Sequence, residues 1–146
     1  MPDITVKYKK LSPEAILPAY GTAYAAGADI YALCQSPVTI EPGQTVLMHT
    51  GIALAIPDGF VGLIYARSGL ATKKGLAPAN KVGVIDSDYR GEIMVSLHNH
   101  SSVAVTVEHG DRIAQLVIAP YYTASFEESD LSETQRGSGG FGSTGK

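Results

Sequence analysis

Short segments in which apolar and polar residues alternate run through most of the sequence, and they restrict its fold more than any other feature. Near the start, Ile4, Val6 and Tyr8 alternate with polar neighbours. The later segments are equally short and mostly β-branched or aliphatic: 38–41, 45–50, 51–56, 61–66, 92–98, 103–107 and 112–119. Such alternation is typical of strands with one buried face. Since no segment keeps a helical period for three turns, we predict an all-β domain.

Turn residues separate these segments. Examples are 41–43 (Glu-Pro-Gly), 57–59 (Pro-Asp-Gly) and 109–111 (His-Gly-Asp). Many short strands joined by such turns favour a closed or double-sheet architecture, which is a β-barrel or a distorted jelly roll. Only residues 68–74 have a pattern that fits a short helical piece.

Length and charge limit the classes of function. A chain of 146 residues suggests one domain, and its 17% of charged residues lies below the usual ~25%. That low content is compatible with surface buried between subunits. The net charge of −3 provides no basic surface for a nucleic-acid backbone, so we expect no nucleic-acid partner. A few placed arginines and lysines would still suffice to bind a small anionic ligand.

The sequence also indicates where the protein functions. Cys34 is its single cysteine, so no internal disulfide can form, and no Cys/His zinc spacing is present. The N-terminus lacks the apolar region of a signal peptide. The longest apolar stretch, 52–66, is broken by the turn at 57–59, which argues against a membrane span. We therefore expect a soluble, intracellular, cytoplasmic protein with no membrane partner.

The composition changes after residue 122. The stretch from there to Gln135 is acidic and contains few residues able to join a core, and 136–146 is rich in glycine. With so little to bury, such a segment remains solvated. We interpret 1–122 as the folded core and 123–146 as a flexible arm.

The glycine-rich strip at the end of the arm admits two interpretations. Bare backbone N–H groups can approach phosphate oxygens closely, and Arg136 with the hydroxyl groups of Ser138, Ser143 and Thr144 could complete a phosphate cradle. A simple flexible tail is the alternative. The strip lacks the lysine, the preceding strand and the following helix of a P-loop. Phe141, which has no core to join, could stack on a nucleobase.

Two further segments carry candidate binding groups. Arg67, Ser68 and Gly69 follow the end of a predicted strand, where they could grip phosphate; a capped short helix with solvated lysines is the alternative. Residues 80–91 resemble a hairpin that turns through two acids, and one carboxylate there could act as a base beside a tyrosine platform. Turn aspartates often only cap the backbone, and the residues alone do not separate Asp86 from Asp88.

A third set lies in and near the last predicted strand. Gln115 alternates with Ile113 and Val117, and a polar side chain on an apolar face needs a partner. Asp111 and Arg112 could form a structural ion pair. His98 and His100 share one strand face, but with no third ligand in view we do not predict a metal site there.

Five segments, taken together, are similar to the trimeric dUTPase family in order and spacing. They are 26–30 (AGADI), 67–69 (RSG), 83–91 (GVIDSDYRG), 110–115 (GDRIAQ) and 136–145 (RGSGGFGSTG). The resemblance extends from about Tyr20 to Gly145. It implies a β jelly roll, a homotrimer with active sites shared between subunits, and a C-terminal arm that closes over bound nucleotide.

The resemblance also implies an activity and a set of site residues. The enzyme would hydrolyse dUTP to dUMP and pyrophosphate, keeping uracil out of DNA and supplying dUMP for dTMP synthesis. Asp86 would be the general base that activates water for attack on the α-phosphorus, with Mg²⁺ on the phosphates and Asp29 holding it through water. The implied substrate-binding residues are Arg67, Ser68, Gly69, Asn80, Val84, Ile85, Asp86, Tyr89, Met94, Gln115, Arg136, Phe141, Gly142 and Ser143.

Two other functions compete with this interpretation. A dCTP deaminase would share the jelly roll but needs a glutamate base and a different group facing C4 of the base. A non-enzymatic trimeric module could bind nucleotide for regulation or assembly. The 83–86 segment and the Phe-Gly-Ser-Thr tail point away from the first, and intact Asp29, Asp86 and Gln115 disfavour the second.

Overall fold

A computed structural model of the chain describes residues 4–142, and within them the protein is almost entirely β-structure. A single helical turn, Leu70–Lys74, lies where the sequence predicted a short helical piece. The eleven strands are β1 (Lys7–Lys10), β2 (Ala19–Tyr20), β3 (Ala28–Tyr31), β4 (Val38–Ile40), β5 (Thr45–Ala55), β6 (Phe60–Tyr65), β7 (Leu76–Pro78), β8 (Gly83–Ile85), β9 (Glu92–Asn99), β10 (Val105–Val107) and β11 (Arg112–Pro120). The all-β prediction is confirmed.

The strands form two main antiparallel sheets that share one core. One sheet has the order β1-β5-β9-β7, the other has the order β2-β3-β11-β6-β8, and β4 pairs with β10. Strand β9 follows the alternating pattern: Ile93, Val95 and Leu97 are buried, whereas the residues between them are half-buried. Because side chains of both sheets join a single apolar cluster, the architecture is the double-sheet jelly roll that the sequence favoured.

The register of the five-stranded sheet positions the polar residues. In its centre, Gln115 of β11 lies opposite Asp29 of β3 on one side and opposite Tyr65 of β6 on the other. At the edge of the same sheet, Ile85 of β8 lies opposite Gly62 of β6. The two groups of candidate residues therefore lie at different heights along β6.

A bulge in β11 changes which side chains face the core. The pairing with β3 shifts between Arg112 and Ala114, and both Ile113 and Ala114 are buried in the core. Beyond the bulge, Leu116 is buried and Gln115 is not. The prediction that Gln115 shares the face of Ile113 is wrong, because the extra residue of the bulge reverses the alternation.

A second irregularity lies in β5, where the pairing with β9 shifts between His49 and Ala53. Gly51 adopts φ 69° there. A Cβ atom at this position would lie 2.6 Å from Leu33 Cδ2 and 2.9 Å from the Cβ of Ala15. Both the left-handed backbone and the close approach require glycine.

After β11 the chain leaves the sheets. Residues 121–142 form no strand, and nearly all of them are exposed, including the side chains of Tyr122 (98%) and Phe126 (96%). Within residues 4–142, the side chains of Tyr122, Phe126 and Leu131 are therefore almost unpacked, whereas that of Tyr121 is partly covered. Across residues 4–142 we find no helix with the length and hydrophobicity of a membrane span.

Candidate active site

An ion-pair cluster lies on the inner strands of the five-stranded sheet, at the end of β6. The Nε of Arg67 donates to Oδ1 of Asp29 at 2.8 Å, and Arg112 approaches Oδ2 of the same carboxylate at 3.5 Å. We refer to Asp29, Arg67, Arg112 and Gln115 as the Asp29 cluster. Two guanidinium groups share one carboxylate, so the cluster keeps an excess positive charge, which suits an anionic ligand.

Gln115 is held on two sides. Its Nε2 donates to the carbonyl oxygen of Ala66 at 2.9 Å, which provides the partner that the sequence required. Next to its Oε1 lies Gly27, where an added Cβ would be only 2.5 Å from that oxygen. The absence of a side chain at residue 27 therefore leaves the space that the amide occupies.

Arg112 was misassigned from the sequence. It pairs with Asp29, not with Asp111, whose carboxylate accepts a hydrogen bond from the backbone of Glu108 at 2.8 Å. The bulge in β11 follows Arg112 directly, and the alternation pattern gives no signal of it. This is why sequence reasoning missed Arg112 as a member of the cluster.

Ser68 and Gly69 begin the helical turn that follows β6. Both residues are exposed, and Arg67 accepts the first hydrogen bond of the turn, from the N–H of Ala71 at 2.9 Å. Gly69 is in a right-handed conformation, and an added Cβ would meet no atom within 4 Å. Among residues 4–142 no side chain caps the start of the turn, but Gly75, in the left-handed conformation, caps its end through its backbone N–H, so the capped-helix alternative is partly met. The space above Gly69 is open to a ligand or a neighbouring chain.

Asp86 lies in the connection between the two sheets. Strand β8 pairs with β6, whereas β9 pairs with β5 and β7, so the prediction of a hairpin over 80–91 is wrong. The connection turns at Asp86, whose carbonyl oxygen accepts a hydrogen bond from the N–H of Tyr89 at 3.1 Å. The Asp86 side chain is exposed.

Two exposed side chains with apolar surface lie near Asp86 in the chain. Val84 is 62% exposed and Tyr89 is 41% exposed. The hydroxyl of Tyr89 donates to the carbonyl oxygen of Glu92 at 2.9 Å, and an added Cβ at Gly91 would lie 2.5 Å from that hydroxyl. The tyrosine ring therefore has a fixed position close to the backbone. Asn80 is exposed in the turn before β8.

The two groups of residues do not meet within one chain. Asp86 is level with residue 61 of β6, because Ile85 lies opposite Gly62. Arg67 lies six residues further along, which at the rise of a strand is roughly 20 Å. Met94 lies in the other sheet, opposite His49 of β5. Arg136, Phe141 and Gly142 are exposed on the arm, and Ser143 lies outside the described residues.

The described part of the chain offers no protein-only metal cage. Among residues 4–142, no three His, Cys, Asp or Glu side chains are grouped as metal ligands. The rings of His98 and His100 lie 4.5 Å apart, and Nδ1 of His98 is 2.8 Å from the Thr45 hydroxyl. Partial desolvation lowers the pKa of His100 although the residue is exposed, and the charges of His98 and Lys81 lower it further.

Known proteins of similar sequence belong to one family. The dUTPase family model matches residues 13–145. The deoxyuridine 5'-triphosphate nucleotidohydrolase of Syntrophotalea carbinolica is 49% identical over 146 residues, covering 99% of both chains. The enzyme of that name from Roseobacter denitrificans is 56% identical over 131 residues, covering 88% of this chain and 86% of its own.

Solved structures of dUTPases are also similar to this chain. The Staphylococcus bacteriophage 80alpha dUTPase with dUPNHPP has a TM-score of 0.87 at 30% identity, covering 97% of this chain and 99% of its own. A variant dUTPase of phage phi11 of S. aureus, described for its coordination of a structural Mg(II) ion, has a TM-score of 0.79 at 26% identity, covering 89% of this chain and 99% of its own. By its match to the family model and to these relatives, the chain belongs to the dUTPase family.

Proposed function

We propose that this protein hydrolyses dUTP to dUMP and pyrophosphate, through attack of a water molecule on the α-phosphorus. The observation that carries the proposal is that one sheet bears two complementary sets of groups, at opposite ends of β6. The Asp29 cluster has an excess positive charge beside open backbone at Gly69. Asp86 directly follows the edge strand β8, and three residues later comes Tyr89, whose hydroxyl is held by the carbonyl oxygen of Glu92. The first suits a triphosphate, and the second suits a nucleoside and a general base.

The phosphate chain is assigned to the Asp29 cluster and the start of the helical turn. Arg67 offers guanidinium N–H groups beyond the one that Asp29 accepts. The Ser68 hydroxyl and the Gly69 N–H lie next to it in the chain, and Gln115 lies beside the end of β6. Charge-assisted hydrogen bonds from these groups would stabilise charge that develops on the phosphate oxygens.

The carboxylate of Asp29 suits a Mg²⁺ ion that arrives bound to the phosphates of the substrate. Both carboxylate oxygens of Asp29 already face arginines, and a Mg²⁺ ion usually keeps several waters while binding one or two carboxylates and substrate phosphates. Asp29 would therefore hold Mg²⁺ through water. When bound, the ion would offset the negative charge of the phosphates and help to orient them.

Asp86 is assigned as the general base. It directly follows β8, whose register against β6 fixes where its backbone lies, whereas Asp88 lies two residues further into the connection. Its carboxylate would orient the attacking water and accept its proton. Positioned general bases contribute typically about 10²–10⁴-fold in rate.

Uracil recognition is assigned to the edge of β8. This strand is the last of its sheet, so within the described chain the main-chain groups of Val84 and Ile85 on its outer edge have no strand partner. Backbone donors and acceptors there can imitate a base pair and mismatch cytosine. Asn80 and Met94 would complete the base site, and Tyr89 under the sugar would leave no room for a 2′-hydroxyl.

A homotrimer with shared sites would complete the assembly. The roughly 20 Å along β6 between Asp86 and Arg67 is too far for both to act on one α-phosphorus within a chain. A neighbouring subunit could bring its Asp86 to this chain's Asp29 cluster. The arm of the third subunit would then place Arg136 and Phe141 over the nucleotide, with Gly142 and Ser143 at the phosphates.

The cellular role follows from the reaction. In the cytoplasm, removal of dUTP would keep uracil out of DNA and supply dUMP for dTMP synthesis. No nucleic-acid or membrane partner is required for this role, and the net charge of −3 favours none.

The function is tested by analysing products and specificity together. We expect dUTP with Mg²⁺ to yield dUMP and pyrophosphate, and kcat/KM for dTTP, dCTP and UTP to be far lower, because a tight β8 edge rejects a 5-methyl group and Tyr89 rejects a 2′-hydroxyl. Release of ammonia from dCTP would indicate a deaminase instead. Binding of dUTP without turnover would indicate a non-enzymatic module.

Substitution of the two acids separates their roles. Asp86→Asn keeps the shape but removes proton affinity, so we expect kcat to fall roughly 10²-fold or more while nucleotide binding is largely kept. Asp88→Asn is the matched control and should have a mild effect. The opposite ranking of the two variants would reassign the base.

Gly27→Ala tests the placement of Gln115. The new methyl group would lie 2.5 Å from the amide oxygen, so the Gln115 side chain must move. We expect weaker binding of dUTP with a small change in thermal stability. Gly21→Ala, where an added Cβ meets no atom within 4 Å, is the control. Equal KM values for dUTP in the two variants would contradict a phosphate-binding role for Gln115.

Mixed trimers test whether the arm acts on a neighbouring chain. One inactive variant carries Asp86→Ala with an intact arm, and the other is truncated after Gln135 with Asp86 intact. After joint unfolding and refolding at equal amounts, random assembly would combine a good arm with a good Asp86 in about a quarter of shared sites. Activity should therefore return. Mixed trimers that are present but inactive would show that arm and base come from the same chain.

A further inference from the structure

Glu92 is the first residue of β9. It links the segment 86–91, which carries Asp86 and Tyr89, to the neighbouring strand β5. Its carboxylate accepts hydrogen bonds from the backbone N–H groups of Thr50 at 3.2 Å and Gly51 at 3.1 Å. Nδ1 of His49 lies 3.0 Å from each of its oxygens. Three consecutive residues of β5 thus converge on one carboxylate.

The bulge in β5 makes this convergence possible. Gly51 adopts the left-handed conformation at the point where the pairing between β5 and β9 is interrupted. Two successive N–H groups can then point to the same side, which a regular strand does not allow, because its N–H groups alternate in direction. The carboxylate fills the resulting gap in the ladder.

The main chain of Glu92 faces the proposed nucleoside site. Its carbonyl oxygen accepts the hydroxyl of Tyr89 at 2.9 Å. One residue therefore anchors β5 through its side chain and Tyr89 through its backbone. A shift of Glu92 relative to β5 would move the tyrosine with it.

The charge state of Glu92 agrees with such an anchor. Burial raises the pKa of this carboxyl, but the hydrogen bond with His49, the backbone N–H groups of Gly51 and Thr50, and the charge of His49 together leave it below its ordinary value. The side chain of Glu92 is 21% exposed, whereas that of His49 is 59% exposed. The carboxylate therefore remains an acceptor at neutral pH.

We propose that Glu92 is a positioning residue for sugar recognition, which fixes Tyr89 by anchoring its own main chain to the β5 bulge. This inference rests on the proposed function, in which Tyr89 lies under the deoxyribose. Glu92 itself does not touch the nucleotide. Its effect is on how closely the Tyr89 ring is held against the position of a 2′-hydroxyl.

The fold does not depend on Glu92 alone. The ladder between β5 and β9 is continuous from Thr45 opposite His98 to His49 opposite Met94, and beyond the bulge it resumes with Glu92 opposite Ala53. At the bulge, the buried hydroxyl of Thr50 also donates to the carbonyl oxygen of Ile93. Removal of the charge at residue 92 should therefore leave a folded protein in which the position of Tyr89 is less restricted.

The test compares dUTP with UTP. Glu92→Gln keeps the size but presents an amide donor to the N–H groups of β5. We expect the preference for dUTP over UTP, measured as the ratio of their kcat/KM values, to fall about tenfold. This is about the size of the net contribution of one hydrogen bond. KM for dUTP should rise while kcat is largely kept. Glu92→Asp, which retains the charge, should recover part of the preference, and the exposed Glu14→Gln is the matched control.

A double-mutant cycle separates positioning from general destabilisation. Tyr89→Phe removes the hydroxyl that Glu92 holds, so Glu92→Gln should have little further effect on the dUTP/UTP ratio in that background. An unchanged ratio in Glu92→Gln, or effects that add fully, would overturn the inference. If Glu92→Gln does not fold, His49→Gln is the alternative test, because His49 contacts the same carboxylate. A reduced preference for dUTP over UTP would then support the anchoring role of Glu92, and an unchanged preference would reject it. A wild-type protein inactive on dUTP would instead reject the proposed function.

Discussion

The central position of β11 in the five-stranded sheet is the constraint on which the rest of the site depends. Its antiparallel register places Gln115 between Asp29 of β3 and Tyr65 of β6. A slip of one residue would turn Gln115 towards the core and bring an apolar side chain to the surface. Burial of Ile113, Ala114 and Leu116 opposes any such slip. The hydrophobic core thus fixes the position of the polar cluster.

The ion pairs of the Asp29 cluster are better understood as preorganisation than as a source of stability. Partly exposed ion pairs contribute typically about 0–1 kcal/mol to folding. Arg67 and Arg112 are long side chains, and without Asp29 each would sample many rotamers. The shared carboxylate holds both near one point before any ligand arrives, so that less ordering is required on binding. The excess positive charge that remains suits an anionic ligand.

Much of the fold could be predicted from the sequence, because alternation reports directly on strands with one buried face. Strand β9 and the helical turn at Leu70–Lys74 are examples. The partner of β8 could not be predicted, since a strand of three residues carries no signal of which sheet it joins. The bulge in β11 was equally hidden, and with it the contact between Arg112 and Asp29. The need of Gln115 for a partner was visible, but the identity of that partner, the carbonyl of Ala66, depends on tertiary register.

The separation of the Asp29 cluster from Asp86 has a consequence for assembly if both belong to the proposed site. Each chain carries the Asp29 cluster near one end of β6 and Asp86 near the other. If one half must meet the complementary half of another chain, the contact is head-to-tail, and such contacts either close into a ring or continue as a filament. A closed ring has as many complete sites as chains and leaves no half unused. The exposed arm, with Phe126 and Phe141 unpacked on their own chain, provides a reason for the ring to close tightly, because these side chains can be buried only by a neighbouring chain or by a ligand. In the proposed trimer, association would therefore both complete the chemistry and cover the apolar surface that a single chain leaves exposed.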